Sequence, residues 1–117
     1  MRYQADDLSV ESLEWNDQVV FRWRGRSEAK DPSRTLQPLL EAVVSTLHGA
    51  QSVELDFRAL EYMNSSTIRP ILQLVQTVSS SAANVCVRYD AAKTWQRMSF
   101  LAMGVALASL TNVKVSA

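Results

Sequence analysis

Between Gln18 and Arg24 every second residue is apolar: Val19, Phe21 and Trp23 alternate with Gln18, Val20, Arg22 and Arg24. That is the period of a strand with one face on a core. Leu8 to Trp15 reads as a looser strand with Leu13 and Trp15 on one face, and Asn16-Asp17 between the two is a turn signal. Together they predict an N-terminal hairpin. The period then changes. Leu36, Leu39, Leu40, Val43, Val44 and Leu47 recur at three- and four-residue steps, the signature of an amphipathic helix. Asp31-Pro32 has the form of an N-cap followed by proline, but a helix from there would hold Pro38 in its interior, where the missing N–H breaks a hydrogen bond. A start capped by Thr35 puts Pro38 in the first turn and leaves Asp31 to Arg34 as a turn. His48-Gly49 marks the stop, with a basic residue in the last turn and a glycine able to turn left-handed.

Ser52 to Arg58 alternates Val53, Leu55 and Phe57 with Glu54 and Asp56, a strand. Thr67 to Val78 reads as a second helix burying Ile68, Ile71, Leu72, Val75 and Val78; Ser79 to Asn84 is a loop, and Val85 to Tyr89 another strand. Asp90 or Thr94 caps a third helix reaching about Met103, with Gly104 ending it, and Asn112 to Val115 forms a short last strand. Strands separated by helices predict one α/β domain over residues 1–117: a mixed, mostly parallel sheet of about four or five strands with the N-terminal hairpin, packed by about three helices. The third helix is apolar around much of its circumference. Trp95, Met98, Leu101 and Ala102 fall on one side and Phe100 and Met103 elsewhere. A helix of that kind needs a second cover, so Phe100 or Met103 is expected at a contact with a second copy or another partner.

Charge and cysteine content narrow the function classes. Twelve Lys and Arg balance twelve Asp and Glu, so the basic surplus expected of a nucleic-acid or anionic-membrane binder is missing. Arg22, Arg24 and Arg26 would share a strand face, which reads as a solvated face. Cys86 is the sole cysteine, lies among apolar neighbours as a small core residue would, and fits a reducing compartment. One cysteine and one histidine cannot assemble a zinc site of the usual kind. Met1 to Asp7 has no signal-peptide core and Phe100 to Leu110 is too short to span a bilayer, so a soluble cytoplasmic protein is expected. No phosphate-binding glycine loop or nucleophile-elbow motif occurs, and no cofactor is implied. His48 suits a helix C-terminus better than a catalytic triad, and Glu54 and Asp56 lie two apart on one strand face instead of facing each other. Trp15, Trp23 and Trp95 read as core or rim packing.

One segment stands out, Val53 to Ile68, where a strand ends, a short loop follows and small hydroxyl residues open a helix. Ser65, Ser66 and Thr67 there satisfy the chemistry of simple helix caps. The segment also resembles the signature of STAS domains, the sulfate transporter and anti-sigma factor antagonist fold: an apolar strand ending in Asp, then a loop to Asp-Ser-Ser-Gly-Leu. Asp56 matches the strand-end acid, Tyr62-Met63 the apolar pair before the serines, Ser65-Ser66 the serine pair, and Ile68 the leucine that opens the helix. Thr94 to Leu101 stands where the family carries its last helix. The chain departs from the pattern in having Asn64 for Asp and Thr67 for Gly, and Gly25-Arg26-Ser27-Glu28 stands near the place of the family's Gly-x-hydrophobic-Asp stretch.

The resemblance implies a STAS-like α/β fold and a non-enzymatic regulator. In anti-sigma factor antagonists a serine at the start of the second helix is phosphorylated by the anti-sigma factor kinase, which blocks binding, and a phosphatase restores it. Carried onto this chain, the phosphoacceptor is Ser66 with Ser65 as its neighbouring alternative. Asp56 and Asn64 shape the loop, and together with Ser65, Ser66, Thr67 and Arg69 they make up the partner-binding set that the resemblance implies. The alternative the resemblance leaves open is a STAS-like scaffold that binds a partner, or a second copy as a homodimer, without phosphorylation.

Overall fold

The computed structural model describes residues 1–47, 49 and 52–117. Strands β1 (Arg2–Ala5), β2 (Leu8–Trp15) and β3 (Gln18–Ser27) form an antiparallel meander. Helices α1 (Pro32–Thr35) and α2 (Gln37–Leu47) lead to β4 (Ser52–Asp56) and β5 (Leu60–Met63). A 3-10 turn over Ser65–Thr67 then opens α3 (Ile68–Ser79), followed by β6 (Asn84–Arg88), α4 (Thr94–Ala106) and β7 (Val113–Ser116). The sheet runs β1-β2-β3-β4-β6-β7, with β4, β6 and β7 parallel to β3 and β5 added alongside β3. The mixed, mostly parallel α/β architecture is the expected one. β1 and β5 are additional: Arg2–Ala5 and Leu60–Met63 carry no alternation of β-branched apolar residues, unlike the equally short β7, expected at Asn112 to Val115, where Val113 and Val115 flank Lys114.

The helices pack on one sheet face. Val19, Phe21, Trp23, Val53, Leu55, Phe57, Val85 and Val87 from the strands meet Leu36, Leu39, Val43, Ile71, Val75, Phe100 and Met103 in one core. Leu13 and Trp15 share the opposite, uncovered face with Val20, Arg22 and Arg24, which is why both are exposed. Arg22 and Arg24 pair there with Asp56 and Glu11 at 3.8 and 3.7 Å. Cys86 lies half-buried on that same face, opposite Glu54 and Lys114 in the ladder, and is not a core residue.

Proline decides the start of the helical layer. Asp31 does cap a helix, accepting from the Arg34 amide, and Pro32 opens it, but that helix stops after one turn. The segment read as a turn before a Thr35 cap is therefore α1, and α2 begins afresh at Gln37 with Pro38 in its first turn. Pro38 has no N–H for the carbonyl four residues back, and its ring collides with that carbonyl. Leu47 ends α2 and Gly49 takes a left-handed φ of 77°; the capping role expected of His48 lies outside the described residues. In α3, Leu74 takes the core position expected of Leu72, which is half-buried beside Ile68. Both settings satisfy the three–four spacing.

Helix α4 reverses the expectation for its two sides. Phe100 and Met103, expected at a partner contact, are 0% and 2% exposed inside the chain, with the Phe100 ring stacked on Tyr89 and tilted against Phe57. Met98 and Leu101, placed inward by the sequence, are 67% and 57% exposed, and Val105 79%. The helix carries apolar residues on opposite sides, and its core stripe contains a buried glutamine, Gln96, which disguises it. Gly104 does not end α4. It lies within the helix, where a Cβ would stand 3.6 Å from Val115 of β7. Lys93 takes the N-cap position without a side-chain capping bond, while Asp90 accepts from the Ala92 amide in the preceding turn.

Gly25 has a φ of +86°, and a Cβ there would stand 1.7 Å from the Asp7 carbonyl oxygen. That carbonyl is held in place by the Arg26 amide at 3.0 Å. Gly25→Ala should therefore combine left-handed strain with a backbone clash and cost more than about 2 kcal/mol, read as a lowered urea midpoint. Leu55→Ala, which empties a central core position, should cost about 2–5 kcal/mol in the same assay.

Candidate functional site

The serine turn is placed by an unusual division of labour along β3. Residues 18–22 of β3 pair with β4, whereas Gly25 to Ser27 pair with β5, and the register shifts between Gly25 and Arg26. β4 stops at Asp56, the chain detours through a turn closed by the Leu60 amide on the Phe57 carbonyl, and β5 resumes the parallel course. Buried Gln96 secures this detour: its Nε2 donates to the Phe57 and Leu60 carbonyls and its Oε1 accepts from the Asp90 amide. Lys93 Nζ donates to the Arg58 carbonyl at 2.7 Å. Sequence reasoning passed over Gln96. A lone polar residue on the apolar side of a helix was the available signal.

β5 delivers Met63 opposite Ser27, and the Asn64 amide continues the ladder onto the Ser27 carbonyl. Three side chains then tie the turn down. The Thr67 hydroxyl donates to Asn64 Oδ1 at 2.6 Å, and Asn64 Nδ2 donates to the Ala29 carbonyl at 2.9 Å. Thr67 has one hydroxyl proton and spends it on Asn64, so at the buried 2.8 Å contact between the Ser27 and Thr67 hydroxyls the donor is Ser27. The chain Ser27→Thr67→Asn64→Ala29 leaves no ambiguity of direction. It also relates the two departures from the STAS pattern, since Asn64 and Thr67 bond each other.

Ser65 and Ser66 are exposed and their hydroxyls make no hydrogen bond among the described residues; Arg69 is exposed one turn on. Asn64 and Thr67 hold the cap positions of the 3-10 turn and of α3, neither with a side-chain capping bond, so the serines are not caps. Thr67 is fully buried.

Asp56 stands apart from this group. It faces Arg22 across the sheet, five positions along β3 from Ser27, or about 16 Å of strand. It is 3% exposed, and Arg58 holds both its carboxylate oxygens at 2.9 and 3.0 Å, with the Arg58 amide adding a third bond. Burial alone would raise its pKa, but the Arg58 hydrogen bonds, with the charges of Arg58 and Arg22, outweigh it and hold the carboxyl below its ordinary value. Asp56 and Thr67, both assigned by resemblance to the partner-facing set, thus contribute by folding the loop and offer no surface. Among the described residues no cluster of His, Cys, Asp and Glu could hold a metal ion.

No family model and no curated protein matches the chain. Among solved structures it is similar to an uncharacterised protein of the DUF3478 family with a SpoIIAA-like fold, from Shewanella loihica. The match covers 92% of this chain and 84% of that one, with a TM-score of 0.55 and 16% identity. The fold is SpoIIAA-like. This agrees with the STAS-like architecture expected from the Val53 to Ile68 segment. At the head of α3 the serine pair is flanked by a mutually bonded Asn64 and Thr67, where the STAS pattern has Asp and Gly. No described helix is long and apolar enough to cross a membrane.

Two substitutions test this geometry. Asn64→Asp restores the STAS residue but sets a carboxylate oxygen against the Ala29 carbonyl, and should destabilise the chain by about 1–2 kcal/mol at neutral pH. Asp56→Asn should cost about 1–3 kcal/mol. Because the Asp56 pKa is lowered in the fold, its stabilisation is present above the ordinary carboxylate range and is lost as pH falls through the lowered value. Urea midpoints of wild type and Asp56→Asn should therefore differ by a constant amount at neutral pH and converge below about pH 4.

Proposed function

We propose that this chain is a non-enzymatic, cytoplasmic protein-binding module of the anti-sigma factor antagonist kind, switched by phosphorylation of Ser66, with Ser65 as the neighbouring acceptor. The observation that carries the reading is the pair of exposed hydroxyls on a turn immobilised from beneath by Ser27, Thr67 and Asn64. Such a turn presents its serines in one conformation to a kinase. The first amides of a helix have no intrahelical partner, and with the helix dipole they favour an anion. A phosphate of about −1.5 to −2 charge therefore fits the fold without unfolding it, and its effect falls on whatever docks there. Arg69, exposed in the first turn of α3, belongs to the same docking surface. The proposed partners are an anti-sigma factor kinase and a phosphatase.

Co-expression with an ATPase of the histidine-kinase type, followed by mass spectrometry, should place one phosphate on Ser66 and none on Ser66→Ala. Because Ser66 caps nothing, Ser66→Ala should change stability by less than about 0.5 kcal/mol. Recovery of the kinase in a pull-down should be retained by Ser66→Ala and fall with Ser66→Asp. Equal recovery by wild type and both variants, with no phosphate found, would leave a scaffold without a switch.

A further inference from the structure

The outer side of α4 overhangs the free edge of the sheet. Strand β7 is last in the strand order, and Gly104 of α4 sits over its Val115. From Gly104, at about 100° per residue, Phe100, Leu107 and Met103 lie about 40°, 60° and 100° round in one sense, toward the core. Leu101, Val105 and Met98 lie about 60°, 100° and 120° round in the other sense, past β7 and beyond the edge. Those three are the most exposed large apolar side chains among the described residues. From Met98 to Val113 the sequence has no charged residue.

The edge beneath them is unpaired. The Asn112 and Ser116 carbonyls accept from the Val85 and Tyr89 amides of β6, at 2.8 and 3.1 Å. With a period of two, Lys114 also turns toward β6, while Val113 and Val115 turn outward. The Val113 amide is used by the Leu110 carbonyl, but both backbone groups of Val115 point off the sheet with no partner among the described residues.

We propose that this edge and the apolar stripe above it form the interface between two copies of this chain. A two-fold axis perpendicular to the sheet through Val115 pairs β7 antiparallel with itself and keeps both helical layers on the same side. Val115 then exchanges both its backbone hydrogen bonds with Val115 of the second copy. On the uncovered face this register puts Lys114 opposite Ser116, whereas centring on Lys114 would oppose two lysines. Helix α4 spans β6 and β7, with Phe100 against Tyr89 and Gly104 over Val115, so its axis is set back from the edge by about half a strand spacing. With strands about 4.8 Å apart, two such axes stand about 10 Å apart, within reach of the about 8–10 Å of packed helices, and meet through Leu101, Val105 and Met98. A second copy is the occupant that matches both features at once, an uncharged helix stripe and a strand edge that is its own complement. The inference is independent of the serine turn.

Sedimentation of the full chain from about 5 to 500 µM should show a reversible monomer–dimer equilibrium. Leu101→Glu and Val105→Glu, at exposed positions, should leave the thermal midpoint unchanged and each weaken dimerisation at least about tenfold. Lys114→Ser should leave the dimer constant within about twofold, since Lys114 does not meet its own copy in this register. A monomer throughout the range, a dimer indifferent to both glutamates, or one strongly tightened by Lys114→Ser would overturn the arrangement.

Discussion

A single strand, β3, runs beside two parallel partners in succession, and the backbone kink at Gly25 is the constraint on which that arrangement rests. Before the kink β3 is held by β4; after it, by β5. The left-handed residue lets the Asp7 carbonyl approach closer than any side chain allows, and the Arg26 amide secures that approach. With the register shifted there, β5 ends where Met63 meets Ser27, and the next four residues fall against the end of β3. The position of the serine turn is therefore set by a glycine some forty residues earlier in the chain.

The buried polar groups concentrate where the ladder of backbone bonds is interrupted. Gln96 occupies the turn between β4 and β5 and uses both ends of its amide. Asp56 closes the end of β4 through Arg58, and the Ser27, Thr67 and Asn64 chain closes the end of β5. Each such bond contributes only about 1 kcal/mol, but a buried group left unpaired costs about 1–3 kcal/mol, so these residues specify one conformation more than they add stability. The same logic accounts for Asn64 and Thr67. A glycine at 67 would leave the Ser27 hydroxyl without its acceptor, and an aspartate at 64 would have no proton for the Ala29 carbonyl. The turn differs from the STAS pattern at two positions because they form one unit.

A helix that is apolar on opposite sides, as α4 is, has a single segregated exposed stripe here and a core stripe that contains a polar residue. Its solvent side is distinctive for what it lacks: charge is absent from Met98 to Val113, while the remainder of the chain carries its acids and bases in balance. Elsewhere on the surface, apolar side chains on the uncovered sheet face are interspersed with ion pairs among Glu11, Arg24, Arg22, Asp56, Glu54 and Arg88. Those pairs keep that face wet and make the stripe over β7 the more apolar of the two exposed surfaces.

The amino-acid sequence by itself determined β2, β3, β4, β6 and the short last strand β7, the helical runs of α2, α3 and α4, and their alternation, which dictates a parallel sheet. It also carried the serine pair, through the residues around it. Only the tertiary structure decided the rest. β1 and β5 exist because longer neighbours offer them an edge, a contact with no local trace in four residues. The segment from Asp31 to Arg34, read as a turn, is a one-turn helix of its own, and α2 begins afresh with Pro38 in its first turn. Asp56 and Ser66 share a motif in sequence yet lie on different parts of the fold, since the detour after β4 separates them. For α4, periodicity found two apolar stripes and had no means of ranking them; the core was assigned by which stripe could stack on Phe57 and Tyr89, a packing relation that exists only once β4 and β6 lie side by side.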